Sequence, residues 1–168
     1  MADYSATDKD GNCIFCKISS KEIKPLGNSL IYEDENHIAW LSPFPNTQGF
    51  TVVATKKHHP SDVLKMPEKD LNEFVLAARK VAKILENYFE DVGRVGLIME
   101  GTGINHAHIK LFPMHGTGAM KKGEWQQFHS KNNTFFDNYE GYLASNDGPK
   151  ANFEKLEELA EKIKESHN

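Results

Sequence analysis

His106, His108 and Lys110 occupy alternate positions of the run INHAHIKLF, residues 104 to 112, with Ala107, Ile109 and Leu111 between and beyond them. In a β-strand successive side chains point to opposite faces, so this spacing puts three nitrogen-bearing groups on one face and apolar groups on the other. Alternate residues lie roughly 7 Å apart, so all three could line one phosphate-sized cleft. An imidazole in such a cleft can attack phosphorus and carry a nucleotidyl group until water or another acceptor removes it. The attacking ring needs one bare nitrogen, so its other N–H needs an acceptor, and a strand edge supplies carbonyls. Lys110 stays charged at neutral pH unless strongly desolvated, which suits holding a phosphate oxygen better than shuttling protons. A strand with a merely solvated polar face would show the same spacing, although two histidines and a lysine make an unusual one.

The chain has two cysteines, Cys13 and Cys16, spaced C-x-x-C, which excludes a disulfide framework. With histidines elsewhere, the pair fits tetrahedral zinc held by two thiolates and two imidazoles. A redox pair fits less well, because almost no chain precedes Cys13 to form the strand that such motifs follow. Two reduced, partly buried thiols are the remaining reading. His37, His129 and His167 are expected on the surface.

These groups need a scaffold. Stretches 29–35, 37–42 and 50–57 are rich in β-branched and aromatic residues, and 94–100 and 106–112 read as two further strands joined through Gly101–Thr102–Gly103. Between the two sets, Leu71, Phe74, Val75, Ala78, Val81, Ala82, Leu85 and Phe89 recur at three- and four-residue steps from Pro67 until Gly93, which predicts a long amphipathic helix. The fold class is α+β, an antiparallel sheet of about five strands with one long helix. Residues 1–12 read as a flexible leader, 13–116 as the domain, and 117–168 as an extension packed on it. That extension holds Trp125, Phe128, Phe135, Phe136, Tyr139 and Tyr142, too many aromatics for a disordered linker, and 151–165 is expected to close it as a helix.

At 168 residues with a formal charge of −4, the chain suits one domain and offers no broad basic field for DNA or RNA. Apolar runs such as FTVVA at 50–54 are too short to span a membrane, and MADYSATDKDGN lacks the marks of a secretion signal, so a soluble cytosolic protein is expected.

Taken together, HAHIKLFP, the opening CIFCKISSKEI, the stretch YEDENHIAWLSPFPNTQGFTVVATKKHH, a long helix and a Gly-containing turn before the motif resemble the histidine-triad (HIT) family from about Cys13 to His115. The resemblance implies an α+β homodimer built through a continuous sheet. Its members are nucleotide hydrolases or transferases acting on dinucleoside polyphosphates or nucleoside phosphoramidates. It implies His108 as nucleophile, His106 as the first motif histidine, and zinc held by Cys13, Cys16, His58 and His106, with His59 as the alternative to His58. Lys110 departs from the third histidine of the triad, and His115 beyond Pro113 is a candidate substitute. Ser42, Met99, Thr102 and Gly103 fall at nucleotide-contacting positions, and Phe15, Ile18, Ile23 and Trp40 suit a base-stacking wall or plain core. A catalytically weak nucleotide-binding or regulatory protein, or a purely structural zinc protein, is the alternative to an enzyme.

Overall fold

The computed structural model describes residues 13–133, 135–143, 150, 152–154 and 159. The expected leader over 1–12 and most of the expected last helix lie outside these residues; within 151–165, Phe153, Glu154 and Leu159 are helical. Five strands, β1 (Leu30–Glu33), β2 (His37–Leu41), β3 (Thr51–Thr55), β4 (Val95–Ile98) and β5 (His108–Pro113), form one antiparallel sheet in the order β1-β2-β3-β5-β4. This is the expected α+β architecture. The fifth strand starts at His108, two residues later than the sequence pattern implies, because Ala107 N–H bonds to the His59 carbonyl in the loop before the strand ladder begins.

Between β3 and β4 runs the long helix α2 (Glu68–Tyr88), preceded by a short helix α1 (Ile14–Ser19) near the start of the described chain. Pro67 stands at the N-cap of α2, and Glu68 and Asp70 place negative charge in its first turn, where the helix dipole favours it. Of the buried residues in its apolar stripe, Phe74, Ala77, Ala78, Val81 and Leu85, all but Ala77 belong to one core cluster with Ala39, Val53, Ile109 and Leu111 of the sheet and Ala107 just before β5. Val75, expected in that stripe, is 39% exposed, and Ala77 takes the buried place. The helix stops at Tyr88 and not Gly93, since Phe89 turns to an extended backbone and packs against the core edge.

The opposite face of the sheet is covered too. Ile38, Trp40, Val52 and Ala54 meet Cys13, Phe15 and Ile18 from the α1 region and Ile104 from the loop before β5. That explains why β3 is buried along its whole length where a half-solvated strand would alternate. His37, expected at the surface, is 5% exposed, its ring stacked on Phe74 and its Nδ1 3.0 Å from an Asp34 carboxylate oxygen.

The compact unit that carries the sheet extends to Gln126, past the expected boundary at 116. Thr117 anchors the added stretch: it is buried, its hydroxyl accepts from Gly93 N–H and Arg94 N–H at 2.9 and 3.1 Å, and it donates to the Met114 carbonyl. Residues 127–168 form a second unit, in which Phe136 and Tyr142 meet edge to face at 5.6 Å. Among the described residues no helix is long and apolar enough to cross a membrane.

Candidate functional site

β5 lies between β3 and β4, with Ala54 opposite His108, and with Val52 and Ile98 flanking Lys110. Alternation then does what the spacing predicts: Ala107, Ile109 and Leu111 are sealed against α2, and His108 and Lys110 open onto a cavity of about 320 Å³ on the other face. Its apolar wall includes Phe15, Ile18, Trp40, Phe44, Phe50 and Ile104, and its polar points are Ser42, Thr102, His108 and Lys110. An apolar pocket with a few convergent polar groups is the usual form of a small-ligand site. A wider, open groove beside the β1–β2 turn sets Asp34, Glu35 and Glu73 against Arg79, Lys80 and Lys83, and the imidazole on its lining, His37, is stacked on Phe74 with its Nδ1 3.0 Å from the Asp34 carboxylate.

His108 Nδ1 lies 2.7 Å from the His106 carbonyl oxygen, and a carbonyl can only accept, so Nδ1 carries the proton and Nε2 is bare. The ring is 4% exposed and meets the edge of Phe15 at 5.5 Å. Burial holds the His108 imidazole below its ordinary value, opposed by the bond to His106, and so favours the neutral, nucleophilic form. Burial also pushes the Lys110 ammonium below the usual lysine range. Its Nζ is in contact with the Glu100 carboxylate, and that opposite charge favours the ammonium. Sequence reasoning missed Glu100. Nothing in the spacing signals it, because residue 100 reaches Lys110 only through the β4–β5 register.

His106, by contrast, turns away from the cavity. Its Nε2–H donates to the Thr55 carbonyl at 2.7 Å, which leaves Nδ1 bare, 3.3 Å from Cys13 Sγ and 3.5 Å from Cys16 Sγ. His58 Nδ1 lies 3.4 Å from Cys16 Sγ, and the four ligand atoms of Cys13, Cys16, His58 and His106 all fall within 4.8 Å of one another. Tetrahedral zinc with bonds of about 2.3 Å to sulfur and 2.0–2.1 Å to nitrogen requires S···N edges of about 3.5 Å. The donor set and its spacing fit that ion with no fifth position called for. His59 is not part of the group: its ring faces Asp70 at 3.4 Å, at the start of α2. Phe15, between the two cysteines, touches Trp40, His106 and His108 at centroid distances of 5.0, 5.8 and 5.5 Å, so one ring ties the cysteine turn to the cavity wall. The C-x-x-C pair does open a helix, with Cys13 as the N-cap of α1, but each sulfur faces an imidazole.

Of the other expected contacts, Ser42, Thr102, Gly103, Trp40, Ile18 and Phe15 line the cavity. Met99 packs against the α2-side core, because the last residues of β4 put it on the helix face of the sheet. Ile23 is 37% exposed and lies outside the cavity lining. His115 cannot serve there as a third histidine: its Nε2 donates to the Gln48 carbonyl at 3.0 Å, its Nδ1 lies 3.1 Å from both Asp91 carboxylate oxygens, and its ring packs on Phe89. The Gln48 carbonyl and then the Asp91 carboxylate hold the His115 imidazole above its ordinary value. The pair therefore stabilises the fold fully below the unfolded value of about 6.5 and loses that contribution as pH rises through the folded value. Because both partners are partly exposed the stability effect is small, so NMR titration is the measurement: a His115 midpoint above 6.5 is expected, falling toward it in Asp91→Asn.

A family model described as HIT domain matches residues 25–117. The chain is 33% identical to an uncharacterized HIT-like protein of Methanocaldococcus jannaschii over 66% of this chain and 85% of that one. It is 36% identical to an uncharacterized HIT-like protein of Borreliella burgdorferi over 70% and 73% of the two chains. Among solved structures, a HIT family member from Bacillus subtilis superposes with a TM-score of 0.60 at 25% identity, covering 92% of this chain and 96% of that one.

Proposed function

The chain belongs to the HIT family, and from that premise we propose that it is a nucleotide hydrolase or nucleotidyl transferase. Its substrates are dinucleoside polyphosphates or nucleoside phosphoramidates, and it works through a covalent nucleotidyl group on His108. One observation carries the reading: a buried imidazole whose Nδ1–H is tied to a carbonyl, leaving Nε2 bare in an apolar cavity with a lysine two residues along the same strand.

In the first step the P–Nε2 bond forms as the bond from phosphorus to the leaving group breaks, and the electron pair of that bond departs with the leaving group. The imidazolium so formed keeps its Nδ1–H on the His106 carbonyl, which stabilises the new positive charge. In the second step water attacks phosphorus, the P–Nε2 bond breaks, and the proton lost by water passes to solvent; in a transferase an acceptor hydroxyl takes the place of water. Lys110 Nζ holds a phosphoryl oxygen through both steps, and Trp40, Phe15 and Ile18 form the wall for the base. Zinc bound by Cys13, Cys16, His58 and His106 would be structural and would fix the His106 carbonyl that orients His108.

A homodimer belongs to the same reading. β4 is an edge of the sheet, and its Leu97 is 41% exposed. The net charge of −4 argues for a small nucleotide ligand over a nucleic acid.

Single turnover with substrate labelled in the transferred nucleotide tests the mechanism. One label per active chain, stable in alkali, lost in acid and mapped to His108, is the expected result. Turnover with no protein-bound label at any time would exclude the covalent route, and binding without turnover would favour a nucleotide-binding protein.

A further inference from the structure

The Glu100 carboxylate contacts the Lys110 ammonium inside the fold, the two side chains being 13% and 26% exposed. Glu100 is held in place from both sides. It follows Ile98, the last residue of β4, by two positions, and it precedes Gly101, whose φ of +69° suits glycine. A Cβ at 101 would lie 2.8 Å from the Ser61 carbonyl oxygen, so the loop is pressed against that segment, and Ser61 N–H donates to the Asn105 side chain at 3.0 Å across the same seam. The fold therefore holds the carboxylate against Lys110 at the border of the cavity, outside its lining residues.

Its consequence is electrostatic. Among the described residues, Lys110 is the sole lysine or arginine that lines the cavity, and Glu100 cancels its charge at contact distance. Two of the three ammonium donors stay available to a phosphoryl oxygen, so a phosphorus centre with one negative charge is still held. A leaving group that itself carries several negative charges finds the one cationic lining group already neutralised, and if drawn to Lys110 it meets the repulsion of the carboxylate paired with it in a partly desolvated place. A nucleoside phosphoramidate protonated on nitrogen makes no such demand. As P–Nε2 forms and P–N breaks, the electron pair stays on nitrogen and a neutral amine departs.

Resting on the nucleotidyl-transfer reading above, we propose that Glu100 is a specificity-determining residue that neutralises Lys110 and so selects substrates with an uncharged leaving group over those that release a polyanion.

The test compares kcat/KM for adenosine 5′-phosphoramidate and for diadenosine tetraphosphate in wild type, Glu100→Gln and Glu100→Asp, with nucleotide release followed by chromatography. Wild type is expected to favour the phosphoramidate by at least tenfold. Glu100→Gln, which frees the Lys110 charge, should shift the ratio toward the tetraphosphate by roughly tenfold or more, and Glu100→Asp should keep the wild-type preference. A purely structural Glu100 would lower both activities together, and a ratio within threefold of wild type in an active Glu100→Gln protein overturns this inference alone. Should Glu100→Gln not fold, a wild type or Glu100→Asp protein that prefers the tetraphosphate overturns it equally. Release from neither substrate by any of the three folded proteins overturns the nucleotidyl-transfer reading and this inference with it.

Discussion

Replacing His108 with alanine is expected to lower nucleotide release on the order of 10⁴-fold, about 5.5 kcal/mol in barrier height, while nucleotide still binds. The size of the loss follows from the role. Without Nε2 the covalent route closes, and what remains is whatever positioning by Lys110 and the cavity wall gives to direct attack by water. Binding survives because Phe15, Ile18 and Trp40 pack with Ile38, Val52, Ala54 and Ile104 in a cluster that does not include the imidazole, although Phe15 loses its edge contact with that ring. The alanine also leaves the His106 carbonyl without its donor in a buried place, which by itself costs stability of about 1–3 kcal/mol. His108→Asn separates the two effects, since its amide N–H can donate to that carbonyl and yet offers no nucleophilic nitrogen. Both variants should bind nucleotide and neither should turn it over; activity within tenfold of wild type in a folded His108→Asn would remove His108 from the role.

How much of this site could be read in the sequence depends on the range of the interaction. Alternation within β5 is a local rule, so the sealing of Ala107, Ile109 and Leu111 and the opening of His108 and Lys110 onto the other face followed from spacing alone. The helix was legible for the same reason, except where one residue of the stripe shifted from Val75 to Ala77. His106 and His108 share a face by that rule, yet they do different things. His106 lies before the strand ladder begins, where Thr55 and the cysteine turn capture both of its ring nitrogens. Glu100 and Met99 show the limit most plainly. Both sit where a strand gives way to a loop, and which face each one meets depends on the register of β4 against β5 and on a glycine pressed to Ser61, neither of which a single sequence displays. His37 was misplaced at the surface because a polar residue on a short strand reads as solvent-facing, whereas Asp34 and Phe74 together satisfy its ring inside.

The same His106 makes the cysteine turn the second place where one substitution should have a large effect. Cys13, Cys16, His58 and His106 come from three separate parts of the chain, so an ion among them cross-links α1, the segment after β3 and the residue before β5. Binding that requires the folded state stabilises it as RT ln(1 + [L]/Kd), about 4 kcal/mol for a free metal concentration 1,000 times Kd. At about 2–4 °C per kcal/mol for a chain of this size, loss of the ion should lower the melting midpoint on the order of 10 °C. Cys16→Ser is the variant of choice, because Cys16 Sγ approaches both His58 and His106 and is only half-buried, so a hydroxyl there disturbs packing little. The expected results are about one zinc per chain in the wild type by elemental analysis, none retained by Cys16→Ser, and matching falls in melting midpoint for that variant and for wild type after chelation. A fall in kcat should accompany them, since the His106 carbonyl that orients His108 is held by the same residue whose ring would bind the ion. A wild type free of metal, melting within about 2 °C of Cys16→Ser, would instead make the pair two reduced thiols packed beside imidazoles, and the orientation of His108 would then rest on the Thr55 bond to His106 alone.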